Sequence, residues 1–379
     1  MSNLSYDTVV VGGGVIGSSI AFQLAKRGAR VLMLEKERIA GQASGAAAGM
    51  LGAQSEFSSD SPVIPLALKS RAMFPELAEE LRELTGIDIG LVQKGLIKIA
   101  FSNEEVEAIQ QHYQFWKSHG STVQWLTLSG LRELEPYVTG EVAGAMYLPD
   151  DGQVRADDLS LAFAKAASVY GVEIKQCTDV VSFVTKGGRI QGVVADSDTI
   201  YSDVVVVAAG AWSANLLKKV NLNLKMYPVK GECFSVITDI PLLQATIFAQ
   251  NGCYIVPKKG NRLLIGATSI PKSFDKKVTV SGIYSLLERA QALVPKVKEA
   301  HWERAWCGIR PQTDDGLPYI GEHPQYKGLW VATGHYRNGI LLSPITGVLL
   351  ADLIEGKRNE EFDLSSFRLT RNDEVSITK

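Results

Sequence analysis

Cysteine is scarce in this chain. Cys177, Cys233, Cys253 and Cys307 are the four in 379 residues. No two stand close enough for a CxxC pair, and no histidine sits at zinc-ligand spacing. A disulfide framework and a zinc site are therefore set aside, and the thiols read as buried groups in a reducing compartment. Charge of one sign is also lacking. Lys and Arg number 39, Asp and Glu 41, and the formal net charge is −2. Such a chain has no overall electrostatic reason to bind nucleic acid or an anionic membrane. Long hydrophobic runs are missing too. The longest, over 43–53 and 204–212, fall short of the ~18 apolar residues that cross a bilayer. Residues 1–7 carry no basic stretch of the kind that opens a secretion signal. The expectation is a cytoplasmic protein with neither nucleic acid nor membrane as partner.

What is present is apolar bulk. The chain is 46% hydrophobic, 21% charged and 8% aromatic. That excludes a disordered or fibrous protein. At ~150 residues per domain, the length allows two or three domains with self-sufficient cores.

The first forty residues carry the strongest local signal. Thr8-Val9-Val10-Val11 is a β-branched run that suits a buried parallel strand. Gly12-Gly13-Gly14-Val15-Ile16-Gly17 follows and fits G-x-G-x-x-G. Ile16, Ile20 and Leu24 then recur every fourth residue, one face of a helix. Lys26, Arg27 and Gly28 close it, residues 30–34 form a second strand, and Glu35 ends that strand. Each part has a physical task. Gly12 permits a tight turn, Gly14 lets the backbone approach a pyrophosphate, and Gly17 lets helix and sheet pack closely. The helix N-terminus receives phosphates. Glu35 can accept hydrogen bonds from both hydroxyls of an adenosine ribose, and it repels a 2′-phosphate. The unit predicts dinucleotide binding. By itself it does not choose between FAD and NAD.

Three later segments bear on that choice. Residues 41–51, rich in Gly and Ala, suit backbone packed against a flat ring and a second stretch of phosphate. Residues 203–213 form another buried strand running into small residues. Residues 328–340 read as a strand and a Gly-bounded loop, followed by a helix over 345–355 with Val348, Leu349 and Leu353 on one face. In this order the segments resemble the D-amino-acid-oxidase-like superfamily of FAD enzymes. Within it the chain is most similar to the bacterial glycine oxidases of the thiamine pathway. The resemblance rests on Ala46-Ala47-Ala48-Gly49-Met50-Leu51, Pro228-Val229-Lys230-Gly231-Glu232, Cys253-Tyr254-Ile255-Val256-Pro257, Gly308-Ile309-Arg310-Pro311 through Asp315-Gly316, and Gly334-His335-Tyr336-Arg337-Asn338-Gly339-Ile340. It covers nearly the whole chain.

The fold class that follows is α/β: a Rossmann-like FAD-binding domain interleaved with an α+β substrate domain on an antiparallel sheet. Helices are expected over 104–118, over 159–170 with Asp157 or Asp158 as cap, and over 283–293. A hairpin is expected over 180–195. Short strands are expected at 232–237, 254–257, 262–267 and 302–308. The FAD domain takes 1–85, 144–225 and 309–379. The substrate domain takes 86–143 and 226–308.

The resemblance also implies a chemistry. A hydride leaves the Cα of glycine, sarcosine or a small D-amino acid for flavin N5. O2 then gives H2O2, and the imine gives glyoxylate and ammonia or feeds thiazole synthesis. Arg310 is the expected carboxylate anchor, because a planar guanidinium matches a carboxylate with two parallel hydrogen bonds. Pro311 restricts its backbone and helps aim it. Tyr254 is expected to donate its hydroxyl to the same carboxylate. Arg337 is expected to orient substrate, and Met50 to face flavin and substrate. Cofactor contacts are expected from Gly12, Gly14, Val15, Ile16, Gly17, Glu35, Lys36, Ala43, Ser44, Ala48, Gly49, Met50 and Val180. The C-terminal loop adds His335, Tyr336, Arg337, Asn338, Gly339, Ile340 and Leu341, placed to stabilise negative charge on reduced flavin. His335 receives no catalytic role, and no metal is expected. FAD is expected to be non-covalent, although Cys307 lies near the region where some relatives carry a covalent link. A homotetramer is the expected assembly. Three alternatives stay open: a sarcosine or D-amino acid oxidase or dehydrogenase, a flavin-bearing RNA-modification module, and a non-catalytic FAD scaffold. The RNA module would need a clustered basic face that the sequence does not show.

Overall fold

The structure is a computed structural model that describes residues 6–371. Residues 1–5, part of the reading for a signal segment, lie outside the described residues.

The opening unit folds as its pattern dictates. Strand β1 (Thr8–Val11) is buried at every position, helix α1 is Val15–Lys26, and strand β2 is Val31–Leu34. The six-stranded sheet runs Tyr319–Glu322, Leu329–Thr333, Val204–Val207, β1, β2, Glu173–Lys175. All its pairs are parallel except the edge strand Tyr319–Glu322. Val9 pairs with Val205 on one side and Leu32 on the other. Gly12 leaves β1 at φ 111°, in the left-handed half of φ space, and a Cβ there would stand 2.5 Å from Ala208 O. At Gly17 a Cβ would stand 1.9 Å from Gly12 O. Only glycine allows helix and turn to approach this closely.

Helix α2 (Val63–Thr85) was not among the expected elements. Its signal is nevertheless present, since Ala67, Ser70, Phe74, Leu77 and Leu81 are buried at spacings of three and four. Its Pro75 interrupts the pattern without ending the helix.

A second, nine-stranded sheet holds most of the middle of the chain. Its spine is strand β3 (Met226–Ile237), longer than the expected 232–237. Helix α3 (Val280–Leu293) packs Leu286, Ala290 and Leu293 into the core of this sheet. Strand β4 (His301–Thr313) pairs antiparallel with β3 along its full length. Both strands outrun their expected limits because Pro228 and Pro311 lie opposite each other and read as strand breaks. The sheet also takes in Gly144–Leu148, beyond residue 143, and β4 carries it past residue 308. One strand therefore serves both halves of the fold.

Three local expectations need correction. The helix expected over 159–170 is Ala156–Val169, and its N-cap is Arg155, with Asp157 and Asp158 inside the first turn. Arg155 instead pairs with Asp158 at 2.8 Å. Helix α4 starts at Gly339, not 345, and ends at Ile354. Pro344 lies within it, and Ser343 Oγ donates to Ile340 O, the carbonyl that a proline nitrogen cannot serve. The early start extends the longest apolar helical stretch to Tyr336–Ile354. That is 19 residues with mean hydropathy 1.3, which by length and composition could cross a membrane. Its window is 61% buried, and it packs against α1 and α2 as a core helix. The third correction concerns the thiols. Cys233 and Cys253 are buried, but Cys307 is half-buried and Cys177 is exposed.

Candidate active site

Two adjoining cavities occupy the seam between the sheets. The first, of about 650 Å³, starts at Glu35 and Lys36 beyond β2. It passes the N-terminus of α1 at Gly12, Gly14, Val15 and Ile16, and runs on to Thr333–Ile340 by way of Ile309 and Pro311. Its volume lies in the range of a cofactor site. Ala43, Ser44, Val180, His335, Tyr336, Arg337, Gly339 and Ile340 also line it. Glu35 spans the turn, accepting from Gly13 N at 2.7 Å and Glu37 N at 2.9 Å. Ser44 Oγ accepts from Val15 N at 2.9 Å and so clasps residues 43–46 onto the start of α1. Lys36 pairs with Asp179 at 2.8 Å at the outer end.

The second cavity, of about 550 Å³, opens from the first and shares Ala43, Ala47, Tyr336, Arg337 and Ile340 with it. Arg310, Tyr254, Met50 and Arg337 all line it, although 287 residues separate Met50 from Arg337. Ala48, Gly49 and Asn338 face this second cavity rather than the first. Gly17 and Leu341 line neither. Gly17 supports the turn, and Leu341 is core.

The register of the second sheet explains the meeting. Arg310 sits opposite Val229, and Gly231 opposite Gly308. The Arg310 guanidinium lies over the open face of Gly231, where a Cβ would come within 2.3 Å of its nitrogens. Its one hydrogen bond is from Nη1 to Thr268 O at 3.3 Å. Among the described residues no carboxylate pairs with it. Asp315, five residues further on, is held by Arg371 at 2.7 Å. Tyr254 faces Gly266 in register, and its hydroxyl lies 3.5 Å from Cys233 Sγ. Burial pushes the phenol well above its ordinary range, so it stays a hydrogen-bond donor. Arg337 donates to Glu56 at 2.8 Å and stacks over Phe248 at 5.5 Å. Tyr336, immediately before it, holds a left-handed φ of 47°, a strained turn at the junction of the two cavities. His335 is buried and shares a 3.1 Å contact with Thr346 Oγ1. Burial pushes its imidazole down to about 3, so it is neutral at any working pH. Among the described residues no cluster of His, Cys, Asp and Glu could hold a metal.

The family profile of the FAD dependent oxidoreductases (DAO) matches residues 7–353. The chain belongs to this family. It is 56% identical over 370 residues to a glycine oxidase of Geobacillus kaustophilus (strain HTA426), covering 97% of each chain. A crystal structure of glycine oxidase from Geobacillus kaustophilus superposes with a TM-score of 0.95 at 56% identity, over 97% of this chain and 99% of that one. The chain is also 33% identical over 381 residues to a bifunctional protein ThiO/ThiG of Trichormus variabilis (strain ATCC 29413 / PCC 7937), covering 99% of this chain and 56% of that protein. The enzyme is thus an FAD-dependent oxidoreductase, and the first cavity fits FAD. It is continuous from an acidic end at Glu35 and Glu37, past the glycine turn and the Ser44-capped N-terminus of α1, to an Ala-lined wall.

Several site residues escaped the sequence reading. Glu56 neutralises Arg337 across 281 positions, which no local pattern announces. Glu232, fully buried, accepts from Thr279 N at 2.8 Å and pairs with Lys230 at 3.1 Å. Phe274 and Lys276, in the loop before α3, reach across to line the first cavity. Lys276 pairs there with Glu37 at 2.7 Å.

Lys258 is another. Its ammonium donates to Ala48 O at 2.7 Å and Val154 O at 2.8 Å, tying the second sheet to residues 48–50. Burial pushes it down from 10.5 to about 7. Between those values the unfolded chain binds a proton that the folded chain has released, so stability rises with pH across that window. The urea midpoint should therefore rise from pH 7 to pH 9, and Lys258→Met should flatten that rise. An equally steep rise in the variant removes Lys258 as its source.

Proposed function

We propose that this enzyme oxidises glycine, with sarcosine and small D-amino acids as further substrates. The observation that carries the reading is Arg310, a guanidinium with no carboxylate partner among the described residues, lining together with Tyr254 a cavity that adjoins the FAD cavity. Bound in the first cavity, FAD would supply the hydride acceptor for the substrate Cα and the route by which the electrons reach O2 as H2O2. The chain's residues bind and orient. Arg310 receives the substrate carboxylate on its fork, and Tyr254 donates to the same group. Arg337 is already paired with Glu56, so it does not compete for that carboxylate. Met50 gives the cavity an apolar wall, backed by the cluster that also holds Phe248. No residue is placed as a general base. The amine arrives neutral, and His335 is bound to Thr346. The imine leaves for hydrolysis to glyoxylate and ammonia. Relatedness to a ThiO/ThiG protein and to glycine oxidases supports its use in thiazole synthesis.

A second reading, a D-amino acid oxidase, draws on the size of the second cavity. About 550 Å³ exceeds what glycine fills, and Gly252 at its rim has open space around it. Anaerobic mixing of the FAD-loaded protein with glycine, sarcosine, several D-amino acids and their L-forms separates the two. Glycine should bleach the flavin absorbance. Bleaching by a bulky D-amino acid but not by glycine would overturn the glycine reading.

FAD binding is proposed to be non-covalent. Cys307 lines neither cavity, and burial pushes its thiol up, away from the reactive thiolate. Acid precipitation should release all the flavin into the supernatant. Flavin retained in the pellet contradicts this. The likeness to glycine oxidases also suggests a homotetramer, which sedimentation of the loaded protein tests.

A further inference from the structure

The second cavity carries more positive charge than a glycine can use. Three guanidiniums line it: Arg289, Arg310 and Arg337. Two carboxylates line it as well, Glu56 and Glu232. Glu56 is spent on Arg337. Glu232 is spent on Lys230, Thr268 and Thr279 and has no exposed surface. Arg310 and Arg289 are left. Among the described residues neither pairs with a carboxylate. The hydrogen bond of Arg289 is from Nη1 to Asn251 O at 3.3 Å, in the exposed turn before Gly252.

The two stand on different elements. Arg310 lies on the sheet floor with Tyr254 and Cys233. Arg289 lies on α3, whose Ser281, Ser285 and Arg289 all line the cavity. These three are four residues apart in sequence, one stripe of a helix. The opposite stripe of α3, with Leu286, Ala290 and Leu293, is core. An amphipathic helix would ordinarily turn such a polar stripe to water. Here the stripe runs from exposed Ser281 to half-buried Ser285 and Arg289 along the cavity wall. One substrate carboxylate occupies Arg310. A half-buried guanidinium facing the remaining volume favours a second anion.

We propose that Arg289, with Ser281 and Ser285, forms a subsite for a second anionic group, so that the enzyme also takes small amines bearing two carboxylates. The proposal rests on the amine-oxidation reading. It leaves the linkage to the experiment: the second carboxylate hangs from Cα, as in D-aspartate, or from nitrogen, as in iminodiacetate.

The experiment measures kcat/KM from anaerobic flavin reduction for each acid and its neutral counterpart. The pairs are D-aspartate with D-asparagine, and iminodiacetate with N-ethylglycine. Glycine is run alongside. The wild-type protein should favour the charged member of at least one pair by about tenfold. The favoured pair identifies the linkage. Arg289→Gln should lower that ratio about tenfold, and Arg289→Lys should recover part of it. Lys298→Gln removes a nearby exposed charge outside the cavity and should leave the ratio unchanged. A ratio that survives Arg289→Gln overturns the subsite, as does a wild-type preference for both neutral members. If the ratio fails while glycine still bleaches the flavin, the subsite alone falls. If no amine bleaches it, the glycine reading falls with it.

Discussion

Replacing Arg310 with alanine should raise the KM for glycine by about two orders of magnitude and leave FAD bound. A charge-assisted, two-pronged contact to a carboxylate contributes up to about 3 kcal/mol, roughly a hundredfold in affinity. Nothing nearby replaces it. Arg337 is engaged by Glu56, and Arg289 lies on a different wall. Lysine should recover little, because an ammonium lacks the planar fork. The position also depends on Gly231, since a Cβ there would stand 2.3 Å from the guanidinium nitrogens. Gly231→Ala should therefore raise KM in the same direction by pushing Arg310 off its seat. Steady-state kinetics and the flavin spectrum together check this. An unchanged KM in Arg310→Ala removes the residue from the site. A lost flavin spectrum would make it part of the cofactor cavity instead.

The dinucleotide unit was legible because its physics is local. A β-branched run, a glycine turn, a four-residue apolar spacing and an acid follow one another within 28 residues, from Thr8 to Glu35. Each step constrains the next. Arg310 and Tyr254 were legible only through resemblance, because an arginine before a proline and a tyrosine in a strand are ordinary in any sequence. What brings them together is the order of the second sheet, in which Tyr254–Lys258 pairs with Arg262–Gly266, that strand with β3, and β3 with β4 over twelve residues. That ladder was hidden by its own prolines, Pro228 and Pro311, which face each other across it. The start of α4 was hidden in the same way by Pro344, whose structural substitute is a side-chain hydrogen bond from Ser343. Glu56, Lys258 and Arg289 had no local signal at all. Their roles come from partners and walls supplied by distant segments, and a single sequence does not encode those distances in any short pattern.

Gly17→Val should cost the enzyme its FAD and several degrees of stability. The physical cause is the 1.9 Å between a Cβ at position 17 and the carbonyl oxygen of Gly12, a backbone atom that no rotamer change can move aside. To relieve the clash, α1 must lift from the turn it follows. That helix is fixed on its other side by α4, where Ser19 Oγ donates to Ser343 O at 2.8 Å and a Cβ at Gly347 would meet Ser19 Oγ at 2.3 Å. The helix therefore cannot shift without disturbing the core. Overpacking of this kind costs about 3 kcal/mol, or roughly 4 °C in Tm for a chain of 379 residues. The displaced helix N-terminus should raise the Kd for FAD at least about a hundredfold. Gly14→Ala gives the contrast. A Cβ there meets only the Ser44 hydroxyl, at 3.1 Å, so the fold should hold. It would still narrow the approach of a pyrophosphate to the backbone. FAD titration of the apoprotein by fluorescence, with thermal melts of both variants, should show lost affinity in each and lost stability only in Gly17→Val. Wild-type FAD affinity in Gly17→Val would remove the turn from the cofactor site. Equal melting losses would mean that Gly14 and Gly17 share one packing role, and the division of labour inside the motif would have to be abandoned.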